Sequence, residues 1–454
     1  MVENWGIGFI VAQRWRTVPA QRLWLPAVNS THGTLARHLS RGRGARALRA
    51  QSTITKSNIP PHILEKAKAT PSEKLHNRVH HPLCTLRKII EAYFENELGA
   101  KQGRPPVQFA KFHDLPPIVS TRACFDELLV APDHPSRRPT DTYYLDEATV
   151  LRAHTTAHDT ELLRQGYRAF LVTGDVYRRD SIDKKHYPIF HQMDGVRVFA
   201  DAPSEAWVLE DLKETLYGLA QYLFRWPKNS EADKSPRTSA LSDADAAPIP
   251  VRWVDAEFPF TRHSLELEVL WQGDWLEVLG CGVIQPDVLR AGDVDPAKHS
   301  GWAFGLGLER LAMVLFDVPD IRLFWSSDKR FIKQFQDGVI TQFQPYSKYP
   351  PVYKDVSMWV KDQPEASDGN GSTSGRLFHE NDLCELVRNL AGDLVEDISR
   401  VDEFVHPKTK RRSICYRITY RSPDRSLTDE EINRIQNQVR ECIRLEMSDV
   451  AELR

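Results

Sequence analysis

Apolar residues recur at helical spacing in one early segment and alternate with polar residues in several later ones. His81–Phe94 predicts an amphipathic helix whose apolar stripe contains Leu83, Leu86, Ile89, Ile90 and Phe94. Short runs rich in aromatic and β-branched residues predict strands at Ala169–Tyr177, Ile189–Phe199, Leu265–Trp271 and Trp275–Val283. Their alternation favours a mainly antiparallel sheet over repeated βαβ units. Trp302–Phe316 predicts a glycine-rich turn that continues into a helix, ended before Pro319.

The last hundred residues follow a second, self-contained pattern. It predicts a strand at 352–360, a helix at 380–391, strands at 394–405 and 413–421, and a helix at 428–446. This order is the split βαβ plan of ferredoxin-like domains, which by itself implies no chemistry. Thr428, with Glu431 three residues later, predicts a capping box at the start of the last helix. The chain as a whole is therefore predicted to be an α+β protein.

Composition sets the first 52 residues apart from the rest. They contain eight arginines, one glutamate and interleaved serines and threonines, for a net charge of +7. Such a composition is typical of a mitochondrial transit peptide, and a disordered basic tail or an RNA-binding arm is the alternative. We expect residues 1–52 to direct the protein to the mitochondrial matrix. Because the whole chain carries −2, the remainder would carry −9.

The remaining composition narrows the class of protein. No apolar run approaches the length of a membrane helix, so no membrane partner is expected. The six cysteines are scattered and form no CxxC pair, which argues against a disulfide framework and against a structural zinc site. Residues 228–250 are polar and lack apolar periodicity, which predicts a mobile insertion.

Gly174–Gly195 is the segment richest in side chains that could bind a ligand. A predicted strand ends at Arg178, whose guanidinium could form two hydrogen bonds to a phosphate or stack on a base. A polar loop follows, and beyond it Gln192 and Asp194 share one face of the next strand. An amide and a carboxylate placed together suit an ammonium group. A charged hairpin without a ligand has the same pattern.

A second arginine follows two glycines in the segment 305–310 (GLGLER). The glycines allow close approach of a ligand to the backbone, and Arg310 is predicted on the first turn of a helix. The segment is neither a dinucleotide fingerprint, because the third glycine is missing, nor a Walker P-loop. Two arginine-bearing segments without either motif predict a different kind of phosphate site.

These two segments resemble motifs 2 and 3 of class II aminoacyl-tRNA synthetases. More narrowly, five ordered segments resemble phenylalanyl-tRNA synthetases: LRAHTTAH (151–158), GDVYRRD…FHQMDG, EFPFTRHS (257–264), WLEVLGCGV (275–283) and GWAFGLGLERLAM (301–313). The resemblance runs from about residue 75 to the C-terminus. It implies a class II catalytic domain at 53–335, built on an antiparallel sheet flanked by helices. It also implies a ferredoxin-like βαββα(β) anticodon-binding domain at 343–454, as in single-chain mitochondrial members.

The implied activity is that of a phenylalanine–tRNA ligase. Such an enzyme uses ATP with Mg²⁺ to form phenylalanyl-adenylate from L-phenylalanine, and then charges the 3′-terminal adenosine of tRNA(Phe). The resemblance to single-chain members implies a monomer. Catalytic roles would fall to Arg178 at the α-phosphate, Arg310 at the γ-phosphate and His186 at the other phosphates. Further ATP contacts are implied for Asp180, Phe190 and Glu277, and Glu277 would also help to hold Mg²⁺.

The resemblance also implies an amino-acid subsite. Its polar contacts would come from His154, Thr156, Gln192 and Asp194, its aromatic contacts from Phe258 and Phe260, and its floor from Gly280, Gly282 and Ala303. Two positions depart from the family pattern: Asp159 replaces the usual glutamine, and His263 replaces a proline. The first departure leaves the role of position 159 open.

A basic stretch in the C-terminal domain predicts contacts to tRNA phosphates, with a solvated surface as the alternative. Its members are Lys408, Lys410, Arg411, Arg412, Arg417 and Arg425. Two other functions fit parts of the sequence: a non-catalytic synthetase-like RNA-binding protein, and a ligase that adenylates a cofactor such as biotin or lipoate. The presence of both phosphate arginines argues against the first, and the appended anticodon-binding domain argues against the second.

Overall fold

The computed structural model describes residues 57–97, 107–201, 203–224, 248–326, 328–345, 349–361, 377–422 and 424–454. The predicted transit peptide at 1–52 and nearly all of the predicted insertion at 228–250 lie outside these residues. The α-helices are α1 Pro61–Ala67, α2 Pro82–Ala92, α3 Thr121–Cys124, α4 Asp159–Arg164, α5 Glu205–Phe224, α6 Pro286–Ala291, α7 Leu308–Leu315, α8 Lys329–Ile332, α9 Glu380–Ala391 and α10 Asp429–Glu446. None of the described helices has the length and apolar composition of a membrane span.

A seven-stranded sheet forms the centre of the first domain. Its strands are β1 Ala110–Phe112, β5 Ala169–Tyr177, β6 Ile189–Ala200, β7 Val251–Asp255, β8 Thr261–Trp271, β9 Asp274–Ile284 and β10 His299–Gly307, in the order β1-β5-β6-β10-β9-β8-β7. β1 pairs with β5 in parallel, and the other neighbours are antiparallel. A second, three-stranded sheet is formed by β2 Ile118–Ser120, β3 Tyr144–Asp146 and β4 Thr149–Leu151, in the order β2-β4-β3, from the chain between β1 and β5. The predicted, mainly antiparallel sheet is confirmed.

The two faces of the central sheet have different neighbours because side chains alternate along each strand. One face carries Leu171 and Met193, which are buried in the same apolar cluster as α2, α5 and α7. The stripe predicted for α2 belongs to this cluster. The other face carries Phe170 and Val196, which pack with residues of α4 and α6. Gln192 and Asp194 lie in register with Val196, so they point to the second face.

The predicted glycine-rich turn at the start of Trp302–Phe316 is wrong. Residues 299–307 form β10, which pairs with β6 on one side and with β9 on the other. Gly305 lies directly opposite Asp194, and a Cβ atom at Gly305 would lie 2.9 Å from Asp194 Oδ1. A glycine is therefore needed here to make room for the carboxylate of the neighbouring strand, and it does not mark a turn. The predicted helix follows as α7.

The C-terminal domain has the predicted order of elements. Its strands are β11 Val352–Val360, β12 Val395–Val405, β13 Arg412–Tyr420 and β14 Ala451–Leu453, in the order β12-β13-β11-β14. Helices α9 and α10 cover one face of this sheet with apolar side chains. Only half of the predicted capping box forms. The Thr428 hydroxyl accepts the N–H of Glu431 at 3.2 Å, but the Glu431 carboxylate binds Arg425.

The C-terminal domain contacts the loop that joins β5 and β6. Ile182, in the middle of that loop, is buried in the apolar core of the C-terminal domain. Its carbonyl accepts the N–H of Ile398 at 2.9 Å. Arg388 on α9 donates to the carbonyl of Asp180 at 2.8 Å, and the Tyr143 hydroxyl donates to Glu385 at 2.9 Å. The conformation of the loop that follows Arg178 therefore depends on contacts with the second domain.

Candidate active site

A cavity of about 810 Å³, including its mouth, opens on the second face of the central sheet. Its floor is made of directly paired residues on three neighbouring strands: Asp194 on β6, Gly305 on β10 and Gly280 on β9. The two glycines carry no side chain into the space above the sheet. Their missing side chains leave room for the Phe258 ring and the Asp194 carboxylate, which come close to these two positions and help to form the cavity.

The apolar end of the cavity contains the predicted aromatic pair. The rings of Phe258 and Phe260 are nearly parallel, with centroids 5.9 Å apart, and Ala303 lines the same wall. A Cβ atom at Gly280 would lie 2.7 Å from the Phe258 ring. Gly282 does not line the cavity, because Thr261 fills the space in front of it: its Cβ lies 2.7 Å from where a Gly282 Cβ would be. The predicted floor position of Gly282 is therefore corrected to close packing with Thr261.

Replacing Gly280 with alanine is expected to raise KM for the amino acid by about ten- to hundredfold, because the new methyl group pushes the Phe258 ring into the cavity. The change is measured in amino-acid-dependent ATP–pyrophosphate exchange. The double variant Gly280→Ala/Phe258→Leu is the matched control, since a smaller side chain at 258 relieves the overlap and should recover much of the loss. An unchanged KM in the single variant would contradict the predicted position of the substrate ring.

The polar end of the cavity brings together His154, Thr156, Gln192, Asp194 and Arg178. His154 and Thr156 come from the 3₁₀ turn Thr155–His158 and its cap, and Arg178 directly follows β5. The Thr156 hydroxyl donates to the Asp194 carboxylate. Burial, with the nearby charge of Arg178, lowers the pKa of His154 to about 4, so His154 is neutral at physiological pH. The predicted polar residues thus lie in a single wall.

Arg310 lies beside two buried carboxylates. Its Nη1 is 3.8 Å from Glu277 Oε2, and Glu266 also interacts with it electrostatically. Burial lowers the pKa of Arg310 and the two carboxylates oppose this shift; an arginine stays protonated in either case. Glu266 was missed in the sequence, where it reads as an ordinary polar position in an alternating strand. Its strand pairs it with Gly280, which places it at the same level of the sheet as the cavity.

The loop between β5 and β6 places His186 near Arg310, and each affects the other's electrostatic environment. The His186 ring contacts the Asp183 carboxylate through Nδ1. Burial lowers the pKa of His186, but this hydrogen bond and the charge of Asp183 raise it more, so the net shift is upward. The Asp180 carboxylate accepts the N–H of Ser181 at 2.9 Å and lies in the field of Arg178. Phe190 is half-buried and points to the same face as Gln192.

Glu309 joins the two arginine-bearing segments, a role not foreseen from the sequence although the residue lies inside GLGLER. Its carboxylate accepts the backbone N–H of His191 at 2.7 Å, and its other oxygen lies 2.6 Å from His191 Nδ1. Both residues are almost fully buried. The contact holds the start of α7, which carries Arg310, against β6, which carries Gln192 and Asp194.

In the basic stretch of the C-terminal domain, most of the positive charge is paired with acidic side chains. Its arginines form ion pairs with neighbouring carboxylates: Arg411 with Glu452, Arg412 with Glu403, Arg417 with Asp355 and Arg425 with Glu431. Lys408 and Lys410 lie at the turn between β12 and β13, exposed to solvent. Exposed pairs of this kind are weak and can exchange partners, but they lower the positive potential of the unbound surface.

Comparisons with known proteins agree with this architecture. A family model described as "tRNA synthetases class II core domain (F)" matches residues 105–234 and 240–335, and a model described as "Ferredoxin-fold anticodon binding domain" matches residues 347–454. The chain is 47% identical to a chloroplastic/mitochondrial phenylalanine–tRNA ligase of Arabidopsis thaliana, over 86% of this chain and 82% of the relative. It is 42% identical to the mitochondrial phenylalanine–tRNA ligase of Mus musculus, over 85% and 84%, and 38% identical to that of Saccharomyces cerevisiae, over 84% and 89%.

These matches confirm the predicted fold class, a class II synthetase core followed by a ferredoxin-like anticodon-binding domain. The domain boundaries at 335 and 343 stay predictions. With the cavity, the two arginines and the appended domain, the extent of the similarity leads to one conclusion: the chain belongs to the phenylalanine–tRNA ligase family of class II aminoacyl-tRNA synthetases.

Proposed function

We propose that the chain activates L-phenylalanine with ATP and transfers it to tRNA(Phe) in mitochondrial translation. The observation that carries this proposal is the shape of the cavity. An apolar end with Phe258 and Phe260 leads directly to a polar wall that contains Arg178, on a sheet that the Glu309–His191 contact joins to the helix carrying Arg310. The names of the relatives support the same substrate.

Phenylalanine would bind with its ring between the aromatic wall and the glycine floor. Phe258 and Phe260 would contact the ring, and Ala303 would limit its depth. Gln192 and Asp194 would receive the ammonium group, since an amide oxygen and a carboxylate both accept N–H bonds. His154 is neutral and can donate to or accept from the substrate without adding charge. The carboxylate would then lie toward Arg178, at the mouth of the cavity.

ATP would bind across the second face of the sheet, between Arg178 and Arg310. Its adenine would pack on Phe190, Arg178 would contact the α-phosphate, and Arg310 with His186 would contact the outer phosphates. The upward pKa shift of His186 favours its charged form, which suits a phosphate partner. Asp180 would act mainly by holding Arg178 in place.

Mg²⁺ fits this site as an ion shared with the nucleotide. Glu277 and Glu266 supply two buried carboxylates beside Arg310. No group of three or more His, Cys, Asp or Glu side chains that could hold a metal alone occurs in the described part of the chain. A magnesium ion in such a setting keeps few protein ligands and relies on phosphate oxygens and water. When bound, it would neutralise phosphate charge, with Glu277 as its main protein ligand.

Catalysis would then be a matter of positioning and charge. The amino-acid carboxylate attacks the α-phosphorus of ATP, the bond to the β-phosphate oxygen breaks, and pyrophosphate leaves. Arg178, which lines the polar end of the cavity, would then contact the α-phosphate, where negative charge develops in the transition state. Holding both reactants in line can supply a large part of the rate increase.

The remaining parts of the function concern partners and location. The C-terminal domain would bind the anticodon region of the tRNA, with Lys408, Lys410 and the exchangeable arginines as candidate phosphate contacts. Since the chain after residue 52 would be acidic overall, tRNA binding would depend on such local positions. A monomer in the mitochondrial matrix, with residues 1–52 as the transit peptide, completes the proposal.

Phenylalanine-dependent ATP–pyrophosphate exchange by the full chain tests the activity. We expect exchange with L-phenylalanine far above exchange with L-leucine or L-lysine, because the aromatic wall and the short floor select a planar ring. Charging of a tRNA(Phe) transcript should follow in the same preparation. No exchange with phenylalanine, or equal exchange with leucine, would refute the proposed function.

A further inference from the structure

A second buried carboxylate lies in the wall of the amino-acid cavity. Asp159 begins α4, directly after the 3₁₀ turn that carries Thr156, and it lines the cavity together with Asp194. The two residues are 4% and 3% exposed. The Oδ1 atom of each lacks a hydrogen-bond partner among the described residues. Two carboxylate oxygens are thus withdrawn from water and left available to a ligand in the cavity.

The groups that face this pair include two arginines, Arg178 and Arg152, besides neutral side chains. Thr156 donates its hydroxyl to Asp194, and His154 beside it is uncharged. Arg178 lines the polar end of the same cavity, and Arg152, whose guanidinium lies over Gly174 on this face of the sheet, pairs with Asp175 at 3.1 Å and also acts on Asp194 through its charge. The other titratable groups around the polar end are His134 and His158, whose pKa values are lowered, mainly by burial, so that both are neutral at pH 7.

Two buried carboxylates that line one cavity resist ionising together while the cavity is empty. Burial, together with the charge of Asp194, raises the pKa of Asp159 well above its usual value. Burial also raises the pKa of Asp194 to about 6, although the hydrogen bond from Thr156 and the charge of Arg152 favour its ionised form. Both shifts favour a protonated pair, and its proton belongs on Asp159, which lacks the Thr156 hydroxyl donor that Asp194 has.

We propose that Asp159 and Asp194 act as a carboxylate pair that binds the ammonium group of the amino-acid substrate and releases one proton in doing so. This rests on the proposed function. The O–H bond of the Asp159 carboxyl group breaks, its proton passes to the solvent buffer, and both ionised carboxylates accept N–H bonds from the ammonium group. In the bound state, the positive charge of the substrate ammonium group, instead of the proton, offsets the charges of the two ionised carboxylates.

The pair links substrate affinity to pH in a defined direction. Below the pKa of the empty pair, each unit of falling pH adds a tenfold cost to ionisation, so KM for phenylalanine should rise by about tenfold per unit. Above that pKa, KM should level off. A glutamine at position 159, which the family pattern predicts, accepts an N–H bond but cannot titrate. It would bind the same substrate without this dependence on pH.

Two measurements on the full chain test the pair. Isothermal titration calorimetry with L-phenylalanine, repeated at pH 7 in phosphate and in Tris, reports the protons released from the difference in ionisation heat. Pyrophosphate exchange between pH 6 and 8, where the substrate stays an ammonium ion, reports KM. We expect close to one proton released per phenylalanine and a KM that falls with rising pH. L-Phenyllactate has no ammonium group and should release no proton.

Variants on α4 separate the pair from general effects of pH. Asp159→Gln should still catalyse exchange, with a KM nearly independent of pH and no proton release. Glu161→Gln is the matched control, because Glu161 lies on the same helix with 58% of its side chain exposed and contacts only surface neighbours. It should keep the wild-type profile.

A wild-type protein that binds phenylalanine without releasing a proton overturns the carboxylate pair, and this result does not depend on any variant folding. An Asp159→Gln protein that exchanges with the wild-type pH profile overturns it as well. If the wild-type protein shows no phenylalanine-dependent exchange at any pH, the proposed function itself fails, and the pair fails with it.

Discussion

Replacement of Arg310 with alanine should lower the rate of phenylalanyl-adenylate formation by about 10²- to 10³-fold. In the proposed site Arg310 would contact the outer phosphates of ATP, and charge stabilisation of this kind is among the largest contributions of single residues to catalysis. The loss should appear in kcat for pyrophosphate exchange and in KM for ATP. KM for phenylalanine should change much less, because Arg310 does not line the amino-acid cavity.

Two further variants isolate the role of this arginine. Arg290→Ala removes an exposed arginine whose contact is the neighbouring Asp287, so it should keep the wild-type rate. Arg310→Lys retains the charge without the two-pronged guanidinium, and we expect a rate between those of wild type and alanine. Thermal unfolding checks that removing the partner of buried Glu277 has not unfolded the domain. A wild-type exchange rate in Arg310→Ala would exclude Arg310 from the nucleotide site.

Removal of residues 343–454 should abolish tRNA charging and also reduce adenylate formation, by about 10- to 100-fold. From the sequence alone we would expect tRNA charging to be lost and adenylate formation to be spared. The contacts between the domains change this expectation, because Ile182 in the loop after Arg178 would become exposed and the carbonyl of Asp180 would lose the hydrogen bond from Arg388. A small displacement of catalytic groups has effects of this size.

Point variants distinguish loss of the loop contact from loss of the whole domain. Arg388→Ala removes the hydrogen bond to the loop but leaves the sheet that would meet tRNA, so it should lower adenylate formation more than the apparent affinity for tRNA. Arg444→Ala, on the exposed side of α10, is the matched control and should change neither. If the truncated chain formed adenylate at the wild-type rate, the loop contacts would have no catalytic role.

Local patterns were enough to predict most of the secondary structure. The strand Ala169–Tyr177 has the predicted bounds, and the main C-terminal elements agree to within one residue. These segments bury one face against a neighbour, so the period of their apolar residues reports their geometry. The pattern failed at 302–307, where it predicted a turn. The glycines there make room for side chains on adjacent strands, such as Asp194. Nothing within that segment identifies those side chains.

The candidate site divides in the same way. The resemblance placed Arg178, Gln192 and Asp194 in one site, and the structure brings them to one wall. Three features depend on residues that are not neighbours in the chain: Gly282 packs on Thr261, Glu309 holds His191, and Arg417 of the basic stretch pairs with Asp355. In each, the partner of a polar or small residue is set by strand register or by domain contact.

The charge of the chain shows most clearly what each level of structure decides. The sequence by itself determined the family, the order of elements and the contrast between a basic leader and an acidic remainder. Only the tertiary structure decided which distant charges meet: Arg411 with Glu452 and Arg417 with Asp355 on the C-terminal surface, and Asp159 with Asp194 in one cavity. The physical reason is distance. Periodicity reports contacts between near neighbours in the chain, whereas the energy of a charge depends on burial and on partners brought together by folding.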